Sequence, residues 1–477
     1  MTWIDTITLM RNEWSILIIF LLLLATEILL DDRRQPQLIP LAIGLFAVHT
    51  IGSFFPGKAG ELFGGMYRTN DLLHFMKAIL NTAVLIILFQ SYHWVKTELA
   101  PHGRAGAFYL LLFAVLSGMY FLISSGDFIM FFIGFELSTL PVAALTAFHL
   151  KEIRSTEAGI KLILLAGLAS GIMLYGISLM YAVTGNLYFA DFLVNTDHET
   201  LLIFGLVLFL SGLAFKISLV PFHFWAPDVY EGAPIAVTSF LSVVSKAAAV
   251  FILLILLLSV LPELSEIWKM ILYILSVLTM TVGNLFALRQ TNMKRFLAFS
   301  SIAQAGFILL GILASEAVGA STVVYFILIY VFTNLAAFGV VQAIKDATGK
   351  EEMVDYTGLY RTNPRLSLVM VLALFSLAGI PPMAGFFGKF FLFLAAAGKG
   401  YYTLVLIAVI NVTISLYYYL LPVRAMLLRT SDAPLAHIRS GSMMRIGLIL
   451  CVVGILILGM YSPLYDYILS LTNEWLQ

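Results

Sequence analysis

Charged residues are scarce in this chain, and cysteine is almost missing. Asp, Glu, Lys and Arg make up 11% of the 477 residues, whereas an ordinary soluble domain has about 25%. Hydrophobic residues make up 61%, so the composition is typical of a protein that lies in a lipid bilayer. The single cysteine, Cys451, excludes an intramolecular disulfide, a zinc site built on cysteines and an iron–sulfur cluster held by this chain alone.

An excess of either sign of charge is also missing, since 27 Lys and Arg residues balance 27 Asp and Glu residues. This balance argues against a nucleic-acid partner. No GxGxxG motif follows a predicted strand and no Walker motif occurs, so nothing indicates a nucleotide or flavin site. Any redox chemistry linked to this chain should therefore belong to other proteins.

Apolar runs long enough to cross about 30 Å of hydrocarbon dominate the sequence. The first run is too long for a signal-peptide core and is followed by DDRRQPQ instead of a cleavage site, so we expect it to be retained as a helix. The runs predict an all-α polytopic membrane protein with about 14 transmembrane helices, numbered here in chain order. They lie near residues 14–30, 38–55, 72–92, 106–124, 127–148, 157–183, 201–220, 234–260, 267–288, 295–314, 319–343, 366–396, 401–423 and 444–468.

The loops between these runs differ in positive charge. With alternating loops, the side of the N-terminus receives five Lys and Arg residues and the opposite side receives seventeen. Cytoplasmic loops carry the excess of Lys and Arg, so we expect both termini on the outer side. The cytoplasmic set includes Arg33, Arg34, Lys151, Arg154, Arg289, Lys294, Arg295, Arg361, Arg365 and Arg439.

Five lysines fall inside the predicted spans: Lys77, Lys161, Lys216, Lys246 and Lys389. A charge at the centre of a membrane helix costs about 2.5–3.5 kcal/mol, so each needs a partner, water or a function. Lys77 and Lys161 lie within roughly 9 Å of a helix end, and snorkelling to the interface is an open alternative for both.

Around Lys246, polar residues recur every three or four positions and form one stripe on helix 8, which should face protein or water. The stripe consists of Thr238, Ser239, Ser242 and Ser245.

Two helices carry a proline beside a lysine. In GLAFKISLVPFHFW, Pro221 frees the carbonyl of Ile217 next to Lys216, and in LAGIPPMAGFFGK two prolines precede Lys389. Because these broken helices 7 and 12 lie five segments apart, they predict two inverted five-helix repeats, helices 4–8 and 9–13. The resulting units are 1–104 (helices 1–3), 105–262 (first repeat), 263–430 (second repeat) and 431–477 (helix 14).

Glu136, in the middle of helix 5, is the acid best placed to balance Lys216. A buried Glu–Lys pair has coupled proton affinities and can act as the basic unit of a proton relay. The alternative is a static ion pair that holds helices 5 and 7 together. Glu27, Asp127 and Glu157 lie nearer helix ends and are expected to be interfacial.

Several segments resemble antiporter-like subunits of bacterial proton-translocating NADH-quinone oxidoreductase, respiratory complex I. They are FELSTLP, EAGIKLILLAGLASGIMLYGISLMYAVTGN, GLAFKISLVPFHFWAPDVYEGAP, FLAFSSIAQAG and LAGIPPMAGFFGKFFLF, and the resemblance covers nearly the whole chain. It implies fourteen helices, inverted repeats and broken helices 7 and 12. Lys389 in place of the glutamate of M-type subunits, an end after helix 14 without the lateral helix of L-type subunits, and the EAGIK segment favour the N type.

The resemblance also implies site residues. Glu136, Lys216, Lys246 and Lys389 match the family's proton relay, while Lys161 would assist proton uptake near the cytoplasmic end. His223 and Asp228 could be pathway groups or could cap exposed backbone. The family often has histidine in SSIAHAG, but here Gln304 stands in its place, so protons would pass there along water held by Ser300, Ser301 and Gln304.

The implied role is proton movement from the cytoplasm outward across the bacterial inner membrane. We expect no cofactor and no metal on this chain, with NADH, FMN, iron–sulfur clusters and quinone on partner subunits. The expected partners are the M subunit, small membrane subunits and the lipid bilayer. Two other functions stay open: a D-type component of a multi-subunit sodium/proton antiporter, and a scaffold that moves no proton.

Overall fold

Hydrophobic helices build almost the entire molecule in the computed structural model, which describes residues 3–29, 32–150, 152–192, 199–431 and 434–476. Thirteen helices are long and apolar enough to cross a membrane, and a further crossing, helix 12, consists of two shorter pieces. The predicted fold class is thereby confirmed. The helices are Arg11–Leu29, Gln35–Ser53, Asp71–His102, Ala105–Ile123, Phe128–Thr146, Ile153–Thr184, Glu199–Ile217, Ile235–Val260, Pro262–Ala287, Met293–Leu313, Ala317–Thr348, the two pieces Pro364–Ala378 and Ala384–Gly398, Tyr402–Leu427 and Ser442–Met460.

Two short helices and a two-stranded sheet lie outside the membrane helices. Short helices Trp3–Leu9 and Pro463–Leu476 flank the membrane helices. Strands Gly60–Leu62 and Tyr67–Thr69 pair antiparallel between helices 2 and 3. Loop residue Lys151 of the predicted cytoplasmic set lies outside the described residues.

The core lies around helices 8, 10 and 11. Their most apolar windows are 89%, 100% and 94% buried, compared with 28% for helix 1 and 33% for helix 14. Helices 8 and 10 carry Lys246, Ser301 and Gln304. These three polar residues are therefore on helices in the interior of the bundle.

Helix 5 is interrupted, although the sequence analysis treats residues 127–148 as one continuous helix. It runs as helix 5a, Phe128–Leu137, and helix 5b, Leu140–Thr146. Pro141 has no N–H group to donate to the carbonyl of Leu137, which accounts for the break at this position. The break leaves Ser138 and Thr139 between the two halves.

The break in helix 7 separates helix 7a, Glu199–Ile217, from helix 7b, Trp225–Gly232. Ser218 adopts a φ of +66°, a conformation that non-glycine residues rarely hold and that often marks functional sites. The Trp225 indole N–H donates to the Phe215 carbonyl at 2.9 Å, and the Val220 N–H donates to Thr279 Oγ1 at 3.0 Å. These contacts satisfy backbone groups freed by the break.

The break in helix 12 separates helix 12a, Pro364–Ala378, from helix 12b, Ala384–Gly398. Gly379 ends helix 12a with a φ of +84°. A Cβ atom on Gly385 would lie 1.8 Å from the Ser376 carbonyl oxygen, so only glycine fits where the two halves meet. Helices 7 and 12 are thus both broken and lie five spans apart, as expected for two inverted five-helix repeats, helices 4–8 and 9–13, and the first of these also contains the broken helix 5.

Candidate proton-relay site

Lys216 lies at the break in helix 5. Its ammonium group donates to Ser138 Oγ at 2.5 Å, to Thr139 Oγ1 at 2.8 Å and to the Phe135 carbonyl at 3.3 Å. The last carbonyls of a helix lack backbone partners and carry partial negative charge. Helix 5a therefore ends on a cation supplied by helix 7a.

Glu136 does not contact Lys216 directly, since no nitrogen–oxygen distance between the two is within 4.0 Å, but the carboxylate is near enough to interact electrostatically with the ammonium group. Glu136 Oε1 is buried and has no hydrogen-bond partner. The break in helix 5 explains the missing contact, because it brings two hydroxyl groups and a carbonyl to the ammonium group instead of the carboxylate. Glu136 is left near the site with an unsatisfied oxygen.

Lys246 follows an irregular, π-helical turn of helix 8, Phe240–Ser245, a distortion that is frequent at functional sites. Its ammonium group donates to Ser301 Oγ at 2.9 Å and to the Ser301 carbonyl at 3.1 Å, both on helix 10. The whole predicted polar stripe of helix 8 is buried against protein. One of its members, Ser242, bonds Tyr330 and Asn334 of helix 11.

Lys389 repeats the arrangement of Lys216 at the helix 12 break. Its ammonium group donates to the Leu377 carbonyl at 2.6 Å and to the Ala378 carbonyl at 3.4 Å. These are the last carbonyls of helix 12a, and the lysine comes from helix 12b. Both half-helices thus end on a lysine cation.

The three lysines are buried, with relative exposures of 7% for Lys216, 2% for Lys246 and 4% for Lys389. Among the ion pairs of the described residues, none includes any of the three. Burying a charged ammonium group that has no carboxylate partner costs several kcal/mol, because the ion loses its hydration.

Two small cavities lie beside Lys246 and Lys389. One borders Lys246, Ser301, Gln304 and Tyr330, and the other borders Gln304, Tyr330 and Lys389; each measures about 10 Å³. A volume of about 10–15 Å³ is enough for one water molecule when polar partners are present. Gln304 and Tyr330 belong to both cavities and so form the wall between them.

Hydrogen bonds hold the Gln304 side chain in place in this wall. Its amide nitrogen donates to the Leu377 carbonyl at 3.2 Å and to Tyr419 at 3.1 Å. Its side-chain oxygen is buried without a hydrogen-bond partner, as expected for a group that accepts from water. Ser300 bonds Tyr419 at 2.6 Å but borders neither cavity.

Helix 11 and helix 12a contribute polar residues that are not among the predicted site residues. Tyr330 and Thr333 line the second cavity together with Ser376, and Thr333 bonds Ser376 at 2.9 Å. Tyr330, Thr333 and Asn334 recur at three- and four-residue spacing. That pattern on one helix face was the signal available in the sequence.

Lys161 belongs to a surface cluster, apart from the buried lysines. It pairs with Glu157 at 2.7 Å and with Asp228 at 2.9 Å, and Arg295 pairs with Asp228 at 2.7 Å. The cluster borders an open cavity of about 250 Å³. Asp228 is thus an ion-pair partner here, while His223 Nδ1 is buried with no hydrogen-bond partner.

A second charged cavity, of about 580 Å³, lies beside this cluster. The buried Lys294 pairs there with Glu351 at 3.2 Å, and Lys345 also pairs with Glu351. Burial alone would raise the pKa of the Glu351 carboxyl group, but the two ammonium groups hold that pKa below its usual range. Glu351 therefore stays ionised near neutral pH.

Lys77 does not snorkel, so that alternative is wrong for this lysine. It is fully buried and pairs with Glu13 of helix 1 at 2.5 Å. Tyr67 accepts from Lys77 at 3.2 Å and donates to Glu13 at 3.0 Å. This buried ion pair joins helices 1 and 3 outside the two repeats.

Comparisons with known proteins find relatives that are named after one enzyme, NADH-quinone oxidoreductase. Residues 125–415 match the family described as NADH:quinone oxidoreductase/Mrp antiporter, TM. A protein of Phocaeicola vulgatus named NADH-quinone oxidoreductase subunit N is 46% identical over 464 residues, 97% of this chain and 98% of that protein. A protein of the same name from Moorella thermoacetica is 38% identical and covers 92% of each chain.

Solved structures share the fold. A chain of respiratory complex I from Thermus thermophilus with bound aureothin is 29% identical, with a TM-score of 0.78 over 96% of this chain and 98% of that one. A chain of the Mrp complex from Dietzia sp. DQ12-45-1b has a TM-score of 0.84 over 100% of this chain and 98% of that one. Its identity is 20%, so this second likeness concerns the fold alone.

Proposed function

The chain belongs to the family of N subunits of NADH-quinone oxidoreductase, and from that membership we propose that its buried lysines carry protons across the membrane while partner subunits reduce quinone. It is a proton-translocating membrane subunit of that enzyme. The observation that carries the residue assignment is the pair of small cavities beside Lys246 and Lys389, which share Gln304 and Tyr330.

The central transfer runs from Lys246 to Lys389. The Lys246 ammonium group donates a proton to water beside Ser301, this water passes a proton on to water on the far side of Gln304, and the second water donates a proton to the Lys389 amine. One proton leaves the first lysine and one arrives at the second, so charge is conserved along the path. The unpartnered oxygen of Gln304 supports its role as the acceptor that holds this water.

Coupling between the lysines gives the transfer a direction. Two ammonium groups in a low-dielectric interior repel each other, so protonation of one lowers the proton affinity of the next. Release of a proton from Lys389 to the outer side then allows Lys246 to pass its proton on. Glu136, near Lys216 but not bonded to it, accepts a proton on the cytoplasmic half of the path.

Proton uptake belongs to the charged cluster of Lys161 and Asp228. Its open cavity and its mixture of acids and bases support a role in collecting protons. We place this cluster on the cytoplasmic side, because loops on that side carry most of the Lys and Arg residues. Both termini then lie on the outer side of the bacterial inner membrane.

Redox cofactors belong to partner subunits in this proposal. NADH, FMN, iron–sulfur clusters and quinone bind elsewhere, since Cys451 is the only cysteine of the chain and no nucleotide motif occurs. The M subunit and small membrane subunits are the expected neighbours. A component of a sodium/proton antiporter is less well supported, because the Mrp likeness has 20% identity whereas the N subunits reach 46%.

A Lys246→Met variant tests the proposal in the assembled complex. Methionine keeps the length of the side chain and removes its proton, so NADH-driven proton uptake into vesicles should fall at least about tenfold, the factor produced by 1.4 kcal/mol. Quinone reduction should slow with it. Lys96→Met, at an exposed lysine of helix 3, is the matched control and should pump normally.

Full pumping by Lys246→Met, at equal assembly, would remove Lys246 from the path. A loss of assembly is distinguished from a loss of pumping by the amount of complex in the membrane. An equal defect in Lys96→Met would point to a general effect of losing a lysine.

A further inference from the structure

An apolar groove of about 710 Å³ opens between helix 12a and helix 14. Leu368 and Leu372 form one wall, and Ile449 and Val453 form the other. Leu368 and Ile449 are 48% and 59% exposed. The groove follows helix 14 from Arg445 at its mouth to Val453, a distance of about 12 Å at 1.5 Å per residue. It can therefore hold part of an extended acyl chain.

Three arginines surround the mouth of this groove. Arg365, Arg439 and Arg445 all line it, and all are exposed. Among the ion pairs of the described residues, none includes these arginines, whereas Lys294 and Arg295, which belong to the same predicted cytoplasmic set, are both paired. The mouth therefore carries a concentrated positive charge that no ion pair among the described residues balances.

Two of these arginines are in electrostatically unfavourable places. Arg365 lies in the first turn of helix 12a and Arg445 in the first turn of helix 14, and neither turn contains an acid. The start of a helix carries partial positive charge, which favours anions and disfavours cations. An external anion between the arginines would relieve this repulsion.

The mouth is also held in a fixed shape. Asn363 donates to the Ala436 carbonyl at 3.0 Å and accepts from the Ile438 N–H at 2.7 Å, which fastens the loop before helix 14 to the start of helix 12a. Arg439 follows directly on this loop. A site that is already ordered loses little conformational entropy when it binds a ligand.

We propose that this groove binds an acidic phospholipid, with the phosphate among Arg365, Arg439 and Arg445 and one acyl chain along helices 12a and 14. Basic positions beside an apolar intramembrane surface are the chemistry that recognises anionic headgroups. An acidic protein segment would match the charge but not the apolar groove below it, which lies at the depth of the hydrocarbon.

Site-directed quenching tests this proposal. Cys451 is fully buried, so a fluorophore can be attached at Leu368→Cys in the full-length protein, reconstituted in phosphatidylcholine vesicles. Equal fractions of phosphatidylglycerol or phosphatidylcholine with brominated acyl chains then serve as quenchers. The control is Leu41→Cys, at an exposed residue near the start of helix 2. This position lies on the same predicted side of the membrane as the groove, and its label reports lipid that is not bound there.

Brominated phosphatidylglycerol should quench the Leu368 label more strongly than brominated phosphatidylcholine, with no such difference at Leu41. Each arginine near the surface contributes roughly a fivefold preference for anionic lipid. The triple change Arg365→Gln, Arg439→Gln and Arg445→Gln should therefore abolish the preference. The same three changes at Arg361, Arg424 and Arg429, which do not line the groove, should preserve it.

Equal quenching by the two lipids at Leu368 would overturn the proposal. Loss of the preference when inorganic phosphate is added at constant ionic strength would also overturn it, since that result identifies a site for a free anion. A further contrary outcome is an intact lipid preference in the arginine variant combined with loss of its assembly into the complex, which would assign the arginines to an acidic partner protein.

Discussion

Three buried lysines, Lys216, Lys246 and Lys389, donate hydrogen bonds to oxygens that carry no full charge. Lys216 and Lys389 donate to carbonyls at the ends of half-helices, and Lys246 donates to the hydroxyl and the carbonyl of Ser301. Such oxygens stabilise an ammonium group less than a carboxylate does. The protein can therefore hold each lysine in place while leaving its proton exchangeable.

Gln304 offers a test of the path at the scale of one residue. Gln304→Met keeps the volume but removes the groups that hold water between the two cavities. NADH-driven proton uptake should fall by about fivefold to tenfold, the factor for losing one buried hydrogen bond of about 1–1.4 kcal/mol. Uptake is measured in vesicles that contain equal amounts of assembled complex.

Ser300→Ala is the control for Gln304, because Ser300 shares the Tyr419 contact but borders neither cavity. It should pump at the rate of the unmodified protein. If the serine change impairs pumping and the glutamine change does not, the path runs by Tyr419 and the two cavities are incidental.

The buried pair of Glu13 and Lys77 gives a second residue-scale prediction, about stability. Glu13→Gln or Lys77→Met alone leaves one buried charge unpaired and should destabilise the protein by about 3–5 kcal/mol. The double variant should cost less than the sum of the two single changes. Thermal unfolding of the protein in detergent measures all three, and Tyr67 is left unchanged throughout.

The exposed pair of Glu316 and Lys399 is the matched control. Its removal should cost less than about 1 kcal/mol, as for surface ion pairs. Strictly additive costs for Glu13→Gln and Lys77→Met would show that the two charges do not stabilise each other.

At the scale of elements, sequence analysis located the breaks in helices 7 and 12 and missed the one in helix 5. Prolines beside lysines made the first two visible, whereas Pro141 has no lysine near it in the sequence. Lys216 reaches the helix 5 break across space from helix 7a. The direct contacts of Lys216 were not predicted for this reason: contact between helices depends on packing that a single sequence does not display.

The junction in helix 12 can be tested with one methyl group. Gly385→Ala would place Cβ 1.8 Å from the Ser376 carbonyl oxygen, so the two half-helices must separate and Lys389 must leave the Leu377 carbonyl. Proton pumping should be lost or reduced more than tenfold, a change of at least about 1.4 kcal/mol in the barrier. The readout is proton uptake per assembled complex.

Gly398→Ala controls for the glycine change within the same half-helix, because no atom lies within 4 Å of its added Cβ. Normal pumping is expected there. If Gly385→Ala also pumps normally, the close contact of the two half-helices is not needed for function.

At the scale of the whole molecule, the sequence was sufficient for the architecture. Apolar runs predicted all fourteen helices, because the hydrocarbon imposes a minimum length on each span. It was not sufficient for Lys77. This lysine lies near a helix end, where snorkelling is possible, and only the packing of helix 1 against helix 3 shows that it pairs with Glu13. The division into units at residues 104, 262 and 430 stays a prediction.

The most direct test of the lysine path compares Lys389→Glu with Lys389→Met, at equal assembly, by proton release on the outer side per NADH oxidised. A relay needs a group that gains and loses a proton, so glutamate should retain more pumping than methionine. A purely structural lysine gives the reverse order, since methionine suits a buried helix and a carboxylate facing the Leu377 and Ala378 carbonyls does not. Unimpaired release by the methionine variant, with failure of the glutamate variant, would contradict the proposed path.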